Sequence, residues 1–432
     1  MENNMNKQSD LKRIGFLCGM AAYGLVSFTA IFGSHANGQS PWPNWRGPNG
    51  DGTAPSGQYA TQWSESENIA WKMPLSGRGA STPIIAGNKI YMTLGEQDTN
   101  TLLCLNLDGK EQWRKTFGKE RPAKHAKASG SNSSPTTDGK DVFVYFKSGD
   151  VASVSLDGTV NWQFNLQEKY GEDSLWWDLG TSPVLTKNAL VIAVMQTGPS
   201  FLVALNKTDG SELWKADRWL DVPEEANQSY TTPALVRHKE GETLYTVGAD
   251  HVTAHSAADG TLLWKIGGFN PGADKYFRSI ASPVATDGFV ICPYSRGATL
   301  TGIKTDAGIQ SDKRIAWQKD FGSDVPTPAV YEGKIYLLGD KGLVTCLKPE
   351  SGEVVWTAQL PKSNRQFSSS PIVANGKLYC TREDATTFVL SLEKEGQIVG
   401  TNKLEGNAVA TPVFAENKIF LRTFEAIYAI KR

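Results

Sequence analysis

The chain is poor in the residues from which most catalytic and metal centres are built. Five cysteines and five histidines are spread over 432 residues, with no adjacent Cys-Cys and no C-x-x-C. Spacing therefore yields neither a zinc knuckle nor a dithiol redox motif. A phosphate loop, a nucleophile elbow and a dinucleotide-binding glycine pattern are also missing. Lys and Arg (44) nearly balance Asp and Glu (45), and no charge block or low-complexity tract interrupts the chain. That removes the electrostatic footprint of a protein that binds nucleic acid or an anionic membrane surface.

Long apolar runs are confined to the first forty residues. Lys7, Lys12 and Arg13 precede an uncharged stretch from Phe16 to Gly33, and Ser34-His35-Ala36 offers a small-x-small cleavage site. We read residues 1–36 as an export signal removed after Ala36, with an uncleaved membrane anchor as the alternative that 18 apolar residues leave open. Cys18 stands at the start of this stretch, whereas a lipoprotein cysteine follows it. The mature chain would keep 41 basic and 43 acidic residues, would span no membrane and would lie, as a monomer, in the periplasm or cell envelope. Residues 37–60 read as an N-terminal extension. Of the four cysteines left, Cys346 stands six residues before Gly352 as Ala204 and Ala254 stand six before Gly210 and Gly260, which marks it as a small buried strand residue. Spacing alone does not pair Cys104, Cys292, Cys346 and Cys380.

What the chain has is a repeat. Ser-Pro or Thr-Pro opens a short apolar run at Pro83, Pro135, Pro183, Pro233, Pro283, Pro328, Pro371 and Pro412, with gaps of 52, 48, 50, 50, 45, 43 and 41 residues. That period is close to one four-stranded propeller blade. In the first repeat Thr82 to Ile85 reads as an inner strand, Lys89 to Leu94 as the second, Thr101 to Leu107 as the third and Glu111 to Phe117 as the outer, with Gly87-Asn88 and Asp108-Gly109 as turns. Hairpin dipeptides recur at Asp157-Gly158, Asp209-Gly210, Asp259-Gly260, Ser351-Gly352 and Glu395-Gly396; repeat five instead carries an insertion from Ala307 to Arg314. The reading is an all-β, eight-bladed β-propeller over residues 61–432.

A tryptophan follows the hairpin in the first six repeats, at Trp113, Trp162, Trp214, Trp264, Trp317 and Trp356. Packing explains it: an indole on an outer strand covers the neighbouring blade. Gly400 holds the matching place in repeat seven, so that interface is expected to be the weakest packed. Repeat eight stops at Arg432 without an outer strand, while Asn68 to Lys72, with Trp71, matches an outer strand that has no repeat in front of it. Residues 68–75 should therefore complete the last blade and close the ring.

With their Ala-x-x-x-x-x-Gly-x-x-x-Trp outer half (Ala204, Gly210, Trp214; Ala254, Gly260, Trp264), these repeats resemble the tryptophan-docking repeat of the pyrroloquinoline-quinone (PQQ) family of eight-bladed propellers. The segment from Trp42 to Gly52 resembles the leader of exported members found in bacteria of the planctomycete type. The resemblance implies one of two functions. Quinoprotein alcohol or sugar dehydrogenases of the family carry PQQ and calcium on the ring axis, often with a Cys-Cys disulfide. BamB is a non-catalytic scaffold of outer-membrane protein assembly. With no Cys-Cys and no calcium set in any one neighbourhood, the expectation is a non-enzymatic, BamB-like scaffold with no cofactor; the dehydrogenase, with PQQ and calcium, is the alternative.

His251 and His255 form an H-x-x-x-H pair, but on a strand four residues span about 13 Å, too far for one zinc. Unrepeated residues remain at the rim. Five places before each proline stand Arg78, Gly130, Asp178, Gln228, Arg278, Ser323, Gln366 and Asn407; one place earlier are Trp177, Phe277 and Arg365. Two longer loops feed the same end, one with Lys119, Arg121, Lys124, His125 and Lys127, the other with Trp176 and Trp177. From these, Arg78, His125, Trp176, Trp177, Asp178, Gln228, Phe277, Arg278, Arg365 and Gln366 are the candidate face for a protein or extended peptide. Carbohydrate binding by Trp176 and Trp177 is a third reading.

Overall fold

A computed structural model describes residues 42–432 apart from Ala307; the expected export signal lies outside the described residues. Eight antiparallel sheets of four strands follow one another around an axis, seven of them running from the inner to the outer strand in chain order. Blade 1 comprises Ile84–Ala86, Lys89–Glu96, Thr99–Asn106 and Glu111–Lys119. Blade 8 alone is composite: Val413–Ala415, Lys418–Arg422 and Ala426–Lys431 are completed by Ile69–Pro74, with Trp71 opposite Ala429 and Met73 opposite Ile427. The ring closes through its first and last strands as the truncated eighth repeat predicts, which removes an open sheet edge.

The repeated hydroxyl before each proline has its own structural role. The backbone N–H of Thr82 donates to Ser134 Oγ at 2.9 Å, that of Ser134 to Ser182, and so on through Thr232, Ser282, Thr327, Ser370 and Thr411, whose N–H returns to Thr82 at 3.1 Å. Eight hydrogen bonds thus form a closed belt around the axis, one per blade junction. Proline follows each of them because an N–H at the next position would have no partner in the inner strand's first bond.

Outward from the belt the blades are joined by indoles. Trp71, Trp113, Trp162, Trp214, Trp317 and Trp356 each lie over a hairpin glycine of the next blade, respectively Gly109, Gly158, Gly210, Gly260, Gly352 and Gly396, where an added Cβ would come within 3 Å of the ring. Their ring N–H groups reach carbonyls of that hairpin in three cases: Trp71 to Leu107, Trp162 to Lys207 and Trp317 to Pro349. Within its own sheet each faces a small residue, Cys104 opposite Trp113, Ala204 opposite Trp214, Gly302 opposite Trp317, Cys346 opposite Trp356, and the ladder bulges at that point. The bulge turns the strand so that the ring leaves its own sheet for the next. Cys346 is a small buried strand residue here, as its spacing indicates.

Blade 7 corrects an expectation. Gly400 leaves no gap, because Trp63 from the N-terminal segment lies buried and stacked on Tyr379, 6.5 Å between centroids and 12° between planes. That tyrosine holds the place of Tyr336 beneath Trp356 in blade 6. A Cβ on Gly400 would stand 2.1 Å from the Thr61 carbonyl, so glycine is required for the substitute to seat. With Tyr59 and Phe414, Trp63 belongs to a hydrophobic cluster that runs through blades 7, 8 and 1.

Residues 42–54 cross the axis below the belt. Trp42 pairs with Ile85 of blade 1, Thr137 of blade 2 donates to the Pro43 carbonyl, Val330 of blade 6 to that of Asp51, and Val373 of blade 7 to that of Gly52. Buried Arg46 donates to the carbonyls of two repeat prolines, Pro328 at 2.7 Å and Pro371 at 3.1 Å; burial lowers its guanidinium to about 10. Gly52 (φ +82°) lies where a Cβ would strike that guanidinium. The segment closes one mouth of the ring.

Candidate docking rim and axial cavity

Loops that leave each outer strand for the next inner strand meet at the opposite mouth. The loop from Lys119 to Ala128 leaves blade 1 at this mouth. Its backbone is held by Asp178, whose carboxylate accepts the N–H groups of Lys124 (2.9 Å) and His125 (3.0 Å) and pairs with buried Lys147 at 2.5 Å. At its other end Lys127 crosses to blade 7, 2.8 Å from Glu383 and 3.4 Å from Gln366. Two clamps thus hold a basic loop over the axis, one buried and one exposed.

Three further loops form a ledge beside it. Trp177 donates its ring N–H to Glu225 at 2.7 Å and meets His125 edge-on at 6.0 Å. Glu225 lies 3.7 Å from Arg278, which is 3.4 Å from Asp324, and Glu224 is 3.6 Å from Lys275. The ledge leaves Trp176, Trp177, Trp219 and Tyr276 exposed at 44%, 43%, 54% and 45%. Large aromatics so exposed on adjoining loops are rare on a free surface.

Below the mouth lies a cavity of about 450 Å³ with Trp45 as its floor and the eight belt hydroxyls around its wall. Five candidates from sequence line it: His125, Trp177, Asp178, Arg278 and Gln366. Arg78 stands apart, exposed, its guanidinium 4.1 Å above Phe424 and bonded to the Ala126 carbonyl. Arg365 and Trp176 are exposed and Phe277 is half-buried. Two candidates need correction. Gln228 is fully buried, its carbonyl oxygen accepting the Trp176 N–H and the Tyr230 hydroxyl, and Asp178 is buried against Lys147. Both position the rim rather than present it, because a buried polar group must find its partners inside the protein. Arg278, half-buried between two acids, is no free charge. Sequence reading missed Trp219 and Tyr276, which lie outside the five-before-proline ruler, and missed Lys147 and Glu383, which pair with residues far away in the chain.

His251 and His255 bond locally, Nδ1 to the carbonyls of Ala249 (2.5 Å) and Gly260 (3.1 Å). The four cysteines are free and buried; burial pushes the thiols of Cys104 and Cys346 up to about 12 and about 11, which makes them inert.

A family model described as outer membrane protein assembly factor BamB matches residues 54–201, 157–314 and 309–399. The chain belongs to the BamB family. BamB of Yersinia pestis is 25% identical over 308 residues, covering 69% of this chain and 70% of that protein. BamB of Escherichia coli K12 is 26% identical over 111 residues, 23% of this chain and 28% of that protein. Among solved structures, BamB from Moraxella catarrhalis superposes with a TM-score of 0.60 at 12% identity over 84% of this chain and 99% of that one. A europium-containing methanol dehydrogenase gives 0.67 at 10% identity over 90% of each chain. Both likenesses are of fold. In this BamB-family chain the carboxylates Asp178, Asp324 and Glu383 each pair with a separate cation and so do not converge as a calcium donor set. Among the described residues no three His, Cys, Asp or Glu side chains gather as a metal site.

Proposed function

We propose that the chain is an exported, non-catalytic propeller that serves as a protein-binding scaffold in the cell envelope, docking a protein or an extended peptide on the loop rim. Membership of the BamB family supports the scaffold reading, since the relatives are named for outer-membrane protein assembly. The observation that carries the docking face is the ledge of Trp176, Trp177, Trp219 and Tyr276. It is continuous with a loop whose Lys119, Lys124 and His125 are exposed. Aromatic anchors beside the exposed lysines give both the buried contact and the steering that a peptide partner needs.

Gln228 holds the Trp176 backbone and Glu225 the Trp177 ring from beneath, and the exposed rings of Trp176, Trp219 and Tyr276 make neither of these contacts. The test is cross-linking and recovery of partners from the native envelope with the Trp176→Ala/Trp219→Ala/Tyr276→Ala variant. Recovery should fall sharply while the melting temperature holds. Recovery equal to that of the wild-type chain would reject the rim as the docking face.

A further inference from the structure

We infer that the axial cavity is a binding site for a neutral, polyhydroxylated ring, a mono- or disaccharide lying on the indole of Trp45. The site lies beneath the rim ledge and shares only Trp177 with it; Trp176, Trp219 and Tyr276 do not line it. Its volume of about 450 Å³ falls within the range of small-molecule pockets. Trp45 also lines a second cavity, of about 440 Å³, on the other side of the crossing segment, so its ring is the partition between the two. An aromatic face is thereby presented up the axis.

The wall above that face is unusual in its chemistry. Each belt hydroxyl accepts a backbone N–H, which leaves its own O–H free to donate, and among the described residues none of the eight donates to a protein acceptor. At the mouth Gln366 contributes an exposed amide. Donors therefore ring the wall and an amide, both donor and acceptor, stands at the opening, the complement of a molecule whose every substituent both donates and accepts.

Charge selects the class further. The ionic groups facing the cavity are two cations, Lys127 and Arg278, and two anions, Asp178 and Asp324. Each is already paired, to Glu383, Glu225 and Asp324, Lys147, and Arg278 respectively. An anionic ligand would find no uncompensated cation and would lose its hydration for nothing. A neutral polyol loses less and gains the aromatic face below it.

Calorimetric titration of the full chain with glucose, N-acetylglucosamine, maltose and cellobiose tests this, with glucose 6-phosphate and inorganic phosphate as the charged arm. Saturable binding of a neutral sugar is expected, with Kd between about 1 µM and 10 mM. Trp45→Leu should weaken it about tenfold or more, and Trp176→Ala should leave it unchanged. Should Trp45→Leu fail to fold, Ala80→Phe fills the cavity from its wall and should abolish binding by itself. No binding of any neutral sugar, tighter binding of the charged probes, or loss on Trp176→Ala with retention in the cavity variant would each overturn the proposal.

Discussion

Arg314 lays its guanidinium over the indole of Trp264, 4.6 Å from the ring centroid. At the joints made by Trp71, Trp113, Trp162, Trp214, Trp317 and Trp356 that place is taken by a hairpin glycine. Repeat five has lost the glycine to an insertion, and the last residue of the insertion supplies the cover. Arg314 is fixed there by the carbonyls of Lys304 and Asp306, both at 3.1 Å.

Arg314→Ala removes the cation over the ring and opens the joint between blades 4 and 5. A loss of about 2 kcal/mol is expected in urea unfolding. Lysine should not restore it, since an ammonium has no planar face to lay on the indole. Equal stability of the lysine variant and the wild type would contradict this account of the joint.

Trp63→Ala empties the place left by Gly400 and should cost about 3 to 5 kcal/mol. Gly400→Ala should destabilise through the same contact, by pushing Thr61 away. Fluorescence-monitored unfolding reads both, and the two losses should not add, because each breaks one interface.

Ser182→Ala leaves the Ser134 N–H buried without its acceptor, at a cost of about 1 to 3 kcal/mol. Ser182→Thr should be close to neutral, since threonine serves at Thr82, Thr232, Thr327 and Thr411. Thermal unfolding of the pair of variants separates loss of the hydroxyl from a general intolerance of change.

Lys147→Met strands the Asp178 carboxylate and should cost about 3 to 5 kcal/mol. The loop from Lys119 to Ala128 would lose its clamp, and limited trypsin digestion should cut it faster. Lys147→Met with Asp178→Asn should recover part of the stability.

Acid sensitivity should appear before the carboxylates titrate. Burial lowers both His251 and His255 below their ordinary 6.5, so the unfolded chain takes up protons that the folded chain refuses. Stability is unaffected above pH 6.5 and falls as pH drops below it. Between pH 6.5 and 5 the slope should be shallower in His255→Gln, as read from denaturation midpoints at fixed temperature.

The sequence carries the period, the hairpins and the split eighth blade because each is local: a proline, a turn glycine or a tryptophan at a fixed offset. Trp63 on Tyr379, Arg46 under Pro328 and Pro371, and Lys127 on Glu383 join residues hundreds of places apart, and no spacing rule reaches them. The rim was legible as a set of positions. Which of those positions face outward was decided by partners, such as Lys147 for Asp178, that carry no repeat signature. The belt lay between the two cases: its eight hydroxyls were in plain sight beside the prolines, but their closure is a property of the ring and not of any one repeat.

Every member of that belt gives one hydrogen bond and takes one. Such an arrangement does not count its members: a whole unit could be duplicated or lost, and the remaining neighbours would still satisfy one another. The belt therefore does not itself set the number of blades; the crossing segment, bonded to blades 1, 2, 6 and 7, spans a ring of one size. So do the substitutes at blades 7 and 8, where Trp63 and the strand Ile69–Pro74 each fit one place only.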